Sequence, residues 1–473
     1  MFGCDPSITT VENRTLEELQ IGESAEVDRV LTPEDIELFA VMSGDVNPAH
    51  LDATYAAETG FHHVIAHGMW GGALISAVLG TRLPGPGTIY LGQSLRFRRP
   101  VSPGDRITVR VTVREKDMAS AKVTLDCLCL NQAGELVITG EALVMAPREK
   151  VRRPVSHLPE VRLHTPGARF ANLILAARSL PPLPTAIVHP CDDLSLLGAI
   201  QAEGAGLITP WWVGPKARIL ATAAAANVTL DESRIVDTPH SHASAEVAVD
   251  LVRDGRAGAL MKGKLHTDEL LSAVLRRDTG LRTERRLSHV FALDVPDVDR
   301  ILFITDAAIN IAPDLETMKD IVQNAIDLVM ALGIECPRTA LLSAVETVTG
   351  KIPSTLLAAS ICKMHDRGQI VGGLIDGPLA YDNAISMEAV KAKGIVSDVA
   401  GRADILVAPN LESGNMIAKQ LIHLGGAEAA GLVLGAKVPI MLTSRADGPS
   451  ARLTSAALAR LHAEARPTKP VAE

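Results

Sequence analysis

The spacing of apolar and polar residues changes character once along this 473-residue chain, near residue 150. Before that point His67–Leu79 (HGMWGGALISAVL) is apolar nearly all round, which predicts a buried helix. Strand-like runs follow at Thr88–Arg98, Arg106–Arg114, Lys122–Leu130 and Leu136–Met145. Turn signals at Pro103-Gly104-Asp105 and Asn131–Gly134 separate them. One buried helix with several long antiparallel strands predicts an α+β unit whose sheet wraps the helix.

After the change, short apolar strands alternate with helices. Ala259–Met261, Ile301–Ile304, Ala340–Ser343, Ile370–Ile375, Ile405–Ala408 and Pro439–Leu442 read as strands. Ala245–Arg253, Asp314–Leu332, Ser354–Asp366 and Asn415–Leu424 read as helices, with Gly255 and Gly333 as stops. This alternation predicts parallel βαβ units. Polar residues follow the strands: Lys262, Asp306 with Asn310, Glu346, Asp376, Asn410 with Glu412, and Ser444-Arg445. Ligands of open α/β sheets bind outside the carboxyl ends of strands, so these residues are expected in one cleft. Between the two regions, Pro147–Gly167 holds four prolines and five Arg or Lys residues without a sustained period. The expected division is therefore a domain over 1–148, a linker over 149–167 and a domain over 168–473.

Composition narrows the function. Hydrophobic residues make up 47% and charged ones 21%, which excludes a disordered or fibrous chain. A net charge of -9 and 3% aromatic residues count against nucleic acid or an anionic membrane as partner. No run of about 18 apolar residues offers a spanning helix, and no basic n-region precedes an apolar stretch at the start. The six cysteines are sparse, and Cys127 and Cys129 read as one face of a strand. A disulfide framework is not expected, and a reduced, cytoplasmic setting is.

The densest chemistry in the first region is Ser43–Asp52 (SGDVNPAHLD), followed by FHHVIAHGM from Phe61. Asp45 and His50 bracket an Asn47-Pro48 turn that can aim a carboxylate and an imidazole at one point. Adding water to a conjugated thioester needs such a pair, to take the water proton and to handle a proton at the α-carbon. The enolate oxygen needs donors, which unpaired N–H groups at the helix start near Gly68 can supply. His62, His63 and His67 have no acidic or cysteine partner nearby at metal-ligand spacing, so no metal site is expected. Arg96, Arg98 and Arg99 are candidates for coenzyme A phosphates.

These stretches, with the Tyr55–Phe61 spacer and YLGQSLRFRRPVSPGD, resemble the MaoC-like, R-specific enoyl-CoA hydratases of the hotdog fold over roughly residues 15–145. The resemblance implies that Asp45 and His50 are the hydratase dyad and that Gly68 lies in the oxyanion hole. It places Asn47 and His67 at the substrate.

The second region has no G-x-x-x-x-G-K-S/T loop and no strand followed by G-x-G-x-x-G, which counts against nucleotide hydrolysis and dinucleotide redox chemistry. Its motifs are ALMKGKLHTDELL, ILFITDAAINIAPDLETM, GLIDGPLAYDNAIS, ADILVAPNLESGNMIAKQL and VPIMLTSRAD. They are similar to the phosphate acetyl/butyryltransferases over about residues 170–460, and the wording LMKG and LTSRAD leans to the butyryl branch. The reaction needs a planar cation to fix phosphate and a hydrogen-bond donor for the oxyanion. Arg445 and Ser444 fit these roles, and the resemblance assigns them so. A general base for the thiol is less defined, with Asp447, Asp306 and Asp376 as rivals. Lys262, Asp306, Asn310, Asp376, Asn410, Gly414, Asn415 and Asp447 are expected at the substrate.

The expectation is thus a multidomain protein, an N-terminal α+β hotdog fold and a C-terminal α/β phosphate acyltransferase fold of two subdomains around a cleft. The function expected is hydration of a trans-2-enoyl-CoA to an (R)-3-hydroxyacyl-CoA together with acyl transfer between CoA and phosphate. The alternative is that one half senses acyl-CoA or drives oligomerisation. No tightly bound cofactor is expected; CoA thioesters and inorganic phosphate are the substrates. Resemblance implies a homo-oligomer.

Overall fold

The computed structural model of the chain describes residues 10–155, 159, 161, 163, 165–442 and 449–465. It divides at Leu163/His164. In the first unit β2 (Ser24–Val30), β3 (Ile89–Phe97), β4 (Arg106–Lys116), β5 (Lys122–Leu130) and β6 (Leu136–Met145) form an antiparallel sheet, ordered β2-β4-β5-β6-β3. Burial alternates along β4 and β5, so Val109, Val111, Leu125, Cys127 and Cys129 all enter one core. The short helices α1 (Pro33–Ser43), α2 (Pro48–Leu51) and α3 (Ala53–Glu58) precede the long helix α4 (Gly68–Thr81). That helix lays Trp70, Ile75, Val78 and Leu79 on the sheet.

Its other face is open, with Met69 56% exposed. An apolar helix is therefore buried on one side only, which corrects the expectation from its composition. Gly71 permits the close approach, because a Cβ there would overlap the Ile138 side chain. The edge strand β3 is also open, with Ile89 55% and Phe97 53% exposed.

The stretch read as the start of a linker is held by this unit. β1 (Thr10–Glu12) pairs antiparallel with β7 (Arg152–Pro154). Asn13 secures the pairing, donating through Nδ2 to the Glu149 carbonyl and accepting the Val151 N–H.

The second unit is built on one eleven-stranded sheet. Its strands are β8 (Leu183–Val188), β9 (Ile208–Gly214), β10 (Ile235–Asp237), β11 (Ala259–Lys262), β12 (Ser288–Asp294), β13 (Leu302–Thr305), β14 (Arg338–Leu342), β15 (Leu374–Leu379), β16 (Ile405–Val407), β17 (Glu428–Leu434) and β18 (Ile440–Met441). Their order is β10-β9-β8-β11-β18-β17-β12-β13-β16-β14-β15. Four parallel neighbours and β18 form one half; β13, β16, β14 and β15 form a second parallel half.

Between them, β17 and β12 pair antiparallel with each other and with β18 and β13. Three successive reversals make the two parallel halves run in opposite directions. The sheet is mixed rather than built of parallel units throughout, and the carboxyl ends of its halves face opposite edges. The polar strand ends therefore come from two oppositely directed halves rather than from one parallel sheet, and Ile309 of the Asp306 loop packs against the apolar cluster of the first half. Separate apolar clusters cover the two halves, one around Val188, Leu260 and Ile440, the other around Ile304, Leu342 and Leu406.

β15 begins at Leu374, later than the run Ile370–Ile375 suggested. Gly372 and Gly373 take left-handed φ values of 85° and 64°, which ends any extended run before Leu374. Asp376 consequently lies inside β15, opposite Ala340, rather than beyond a strand end. The helix read over Asn415–Leu424 starts earlier, at Leu411, so Gly414 and Asn415 fall in its first turn.

Candidate active sites

In the first unit the turn between α1 and α2 is set by local chemistry. Gly44 ends α1 in the left-handed conformation, φ 74°, and releases the chain at Asp45. Asn47 caps α2 by accepting the Ala49 N–H, with Pro48 at the first helical position. Asp45 accepts the Asn47 N–H through Oδ1 at 3.2 Å and is otherwise exposed. His50 Nδ1 donates to the Ile65 carbonyl at 2.8 Å. A carbonyl only accepts, so the neutral ring carries its lone pair on Nε2.

His67 lies beneath this turn, 3% exposed, its ring 4.0 Å from that of His50. Its Nε2 donates to the Asp45 carbonyl at 3.0 Å, while Nδ1 is buried without a hydrogen-bond partner. A carboxylate oxygen of Asp45 and one ring nitrogen of each histidine lie within 4.8 Å of one another. The fold thus supplies His67 with the acidic neighbour that its local spacing did not reveal.

His67 is also the N-cap of α4, and no side chain caps that end. The first N–H groups of α4 are therefore available to a ligand. Gly68 packs closely on the Phe97 ring, from which a Cβ there would sit 3.0 Å. A pocket of about 290 Å³ opens here, lined by His50, Gly68, Trp70, Phe97, Arg99 and Ile138 among others. Arg98 and Arg99 reach its rim, and Arg99 also pairs with Glu135 at 3.1 Å.

In the second unit the sequence candidates separate into groups. Asp306 follows β13 and is 2% exposed. Its Oδ1 accepts the Ala308 and Ile309 N–H groups, and its Oδ2 accepts the Asn310 N–H and Asn310 Nδ2. Asn310 Nδ2 also reaches the Leu287 carbonyl at 2.8 Å. Asn415 Nδ2 donates to the Ala307 carbonyl, and Asn410 caps the Leu411–His423 helix by accepting from Ser413. Gly414 meets the same loop, because a Cβ there would overlap the Asp306 carbonyl. Asp306, Asn310, Asn410, Gly414 and Asn415 therefore form one cluster, in which the Asp306 carboxylate is an anchor.

Lys262 stands at the opposite edge, ending β11, 9% exposed. Its neighbours in register are Val188 of β8 and, one row back, Met261 beside Met441 of β18. Asp376 stays within β15 and accepts the adjacent Gly377 N–H. Glu346 pairs with Lys393 at 3.2 Å, and backbone and Lys393 hydrogen bonds lower its pKa. Ser444, Arg445 and Asp447 lie outside the described residues.

Sequence reasoning passed over His189, which follows Val188 beside Lys262. It is buried, holds a left-handed φ of 57°, and joins Ser244 Oγ at 3.1 Å, which in turn joins Thr238 Oγ1 at 2.8 Å. Burial pushes its pKa down, assisted by Arg218. The signal was the HPCDD stretch directly after an apolar strand. The cysteines are not poised as nucleophiles: burial pushes Cys127 up to about 11 and Cys129 and Cys362 up to about 12.

Residues 238–460 match the family model "Phosphate acetyl/butaryl transferase", and residues 18–126 match "MaoC like domain". A phosphate acetyltransferase of Rhizobium meliloti is 59% identical over 305 residues, which cover 64% of this chain and 96% of that protein. The chain belongs to the phosphate acetyl/butyryltransferase family, with a MaoC-like domain ahead of the transferase. A branched-chain phosphotransacylase from Enterococcus faecalis is 32% identical with a TM-score of 0.52, covering 59% of this chain and 99% of that one. The R-hydratase PhaJ1 from Pseudomonas aeruginosa is 49% identical with a TM-score of 0.32, covering 33% of this chain and all of the other. A probable phosphate butyryltransferase of Bacillus subtilis is 50% identical over 216 residues, which cover 46% of this chain and 72% of that protein, so relatives of both names are similar to this chain. Among the described residues no helix is long and apolar enough to cross a membrane.

Proposed function

We propose that this chain is bifunctional, with a hydratase in its first unit and a phosphate acyltransferase in its second. The first unit adds water across a trans-2-enoyl-CoA to give an (R)-3-hydroxyacyl-CoA. The observation that supports this is the uncapped start of α4 beside the Asp45 carboxylate and the His50 lone pair. The thioester oxygen sits against the N–H groups near Gly68, where the helix dipole favours the developing enolate. Asp45 and His50 share the proton traffic: one takes the proton of the attacking water while the other serves the α-carbon. His67 holds the Asp45 backbone, packs on His50 and lines the same pocket, so it both positions the pair and borders the substrate.

The second unit exchanges an acyl group between CoA and inorganic phosphate. Arg445 clamps phosphate through its planar fork and Ser444 donates to the tetrahedral oxyanion. Lys262, at the end of the strand next to β18, serves a phosphate of either substrate. The Asp306 cluster shapes the second half of the sheet. Both activities use dissociable thioesters and phosphate, with no tightly bound cofactor. The open edge of β3, with its exposed Ile89 and Phe97, favours a homo-oligomer, and the setting is cytoplasmic.

Two variants test both halves in one preparation. Asp45→Asn should slow crotonyl-CoA hydration by about 10²–10⁴-fold, the usual cost of losing a general base, and leave phosphate-dependent CoA release intact. Arg445→Lys should do the reverse, raising the phosphate KM and slowing transfer roughly ten- to hundredfold. Hydration that is absent in the wild type would leave the first unit as a sensing or assembly module. A normal phosphate dependence in Arg445→Lys would move that residue to the CoA site.

A further inference from the structure

Both histidines of the hydratase site are held in a state suited to a ligand other than a thioester. His50 commits Nδ1–H to the Ile65 carbonyl and His67 commits Nε2–H to the Asp45 carbonyl. Each neutral ring is thereby left with one nitrogen lone pair and a fixed orientation. Carbonyl-tethered imidazoles of this kind are what metal centres use to orient their histidine ligands. The second observation is His67 Nδ1, buried in a side chain 3% exposed and without any hydrogen-bond partner. A buried acceptor left unpaired is costly, and a cation is one way to satisfy it. The third is the carboxylate, since Asp45 sits on an exposed turn with a single backbone N–H on its Oδ1.

We propose that Asp45, His50 and His67 form a binding site for a borderline divalent cation, Zn²⁺ being the best match. The donor set of two imidazoles and one carboxylate suits it, and three protein ligands leave a fourth position for water. A carboxylate oxygen of Asp45 and one nitrogen of each ring already lie within 4.8 Å of one another. Bonds of about 2.0–2.2 Å in a tetrahedral set place donors roughly 3.3–3.5 Å apart. Closing that difference needs the exposed Asp45 side chain to swing inward and the two rings, 4.0 Å apart, to turn their lone pairs to one point. Occupancy takes the carboxylate and the imidazole that hydration requires, so the bound cation is an inhibitor competing with the enoyl thioester. The inhibitory role rests on the hydratase reading; the cation site does not.

The test uses the full-length protein stripped with EDTA. Co²⁺ is titrated first and its d–d absorption followed; Zn²⁺ binding is then measured by equilibrium dialysis. One cation per chain is expected at this site, with affinity falling more than tenfold in both His67→Gln and Asp45→Asn. Asp45 is exposed, so its variant keeps the test sound if loss of His67 disturbs packing. Hydration of crotonyl-CoA should fall over the same Zn²⁺ range and recover with EDTA. Phosphate-dependent transfer by the same molecules should stay constant. Absence of a Zn²⁺ binding component that these variants remove overturns the site. Binding without loss of hydration overturns its inhibitory role. Binding that the variants abolish, in a chain that never hydrates crotonyl-CoA, upholds the site and removes the hydratase reading instead.

Discussion

Asp306 shows how far a single carboxylate can be committed to its own backbone. Four donors from three consecutive residues converge on it in a buried loop. Hydrogen bonds to charged groups contribute about 1.5–3 kcal/mol each, and an amide in place of the carboxylate turns one accepting oxygen into a donor. Asp306→Asn should therefore lower the stability of the second unit by about 2–4 kcal/mol, read as a drop in its thermal transition. An unchanged transition would mean that the loop is held by other contacts. The sequence marked Asp306 as a polar residue after a strand, which fits a substrate contact as well as an anchor. Only the direction of its oxygens separates the two. Asp45 and His50 were easier to read, because one Asn-Pro turn brings them together within a few residues. The part played by His67 depends on a hydrogen bond to a residue 22 positions earlier, which no local pattern encodes.

Helices and strands differed in legibility for a comparable reason. The helix spanning Leu315–Ala331 has a buried stripe, an Asp314 cap and Gly333 beyond it, so its pattern and punctuation agree. β12 is buried on both faces along nearly its whole length, and so carries no period-two alternation to read. Missing it concealed the reversal at the middle of the sheet. The Leu411–His423 helix was read too short because its Asn410 cap and first turn look like a polar loop. That first turn is where the helix touches the Asp306 loop through Gly414. Gly414→Ala should push the helix away from the loop at a cost of about 1–3 kcal/mol. Transfer activity should fall together with the melting temperature, while hydration is unchanged. A variant with wild-type transfer kinetics would show that the contact tolerates a methyl group.

For the molecule as a whole, the two proposed activities should be separable by cutting the chain. Because Arg152–Pro154 pairs with Thr10–Glu12, cleavage directly after Pro154 keeps that small sheet within the first fragment. Two soluble fragments are expected, one hydrating crotonyl-CoA and the other releasing CoA in the presence of phosphate. Insoluble or inert fragments would mean that the units depend on one another. The composition break near residue 150 was legible; the tie back to residue 10 was not, because it rests on the Asn13 amide and on pairing across the whole unit.

The placement of β18 between β11 and β17 bears on how the second unit is made. β11 receives its partner only when Ile440 and Met441 come to lie beside Leu260 and Met261. During synthesis the strands β8 to β11 leave the ribosome first, yet one side of β11 stays without its ladder until nearly the end of the chain has been made. The half containing β13 to β16 has no such wait, since all four of its strands are complete by Val407. The part of the sheet translated first is thus closed last, and its open edge is available to foreign strands in the interval. Ribosomes stalled before Ile440 should hold a nascent chain that is protease-sensitive around β11 and already protected around β13 to β16.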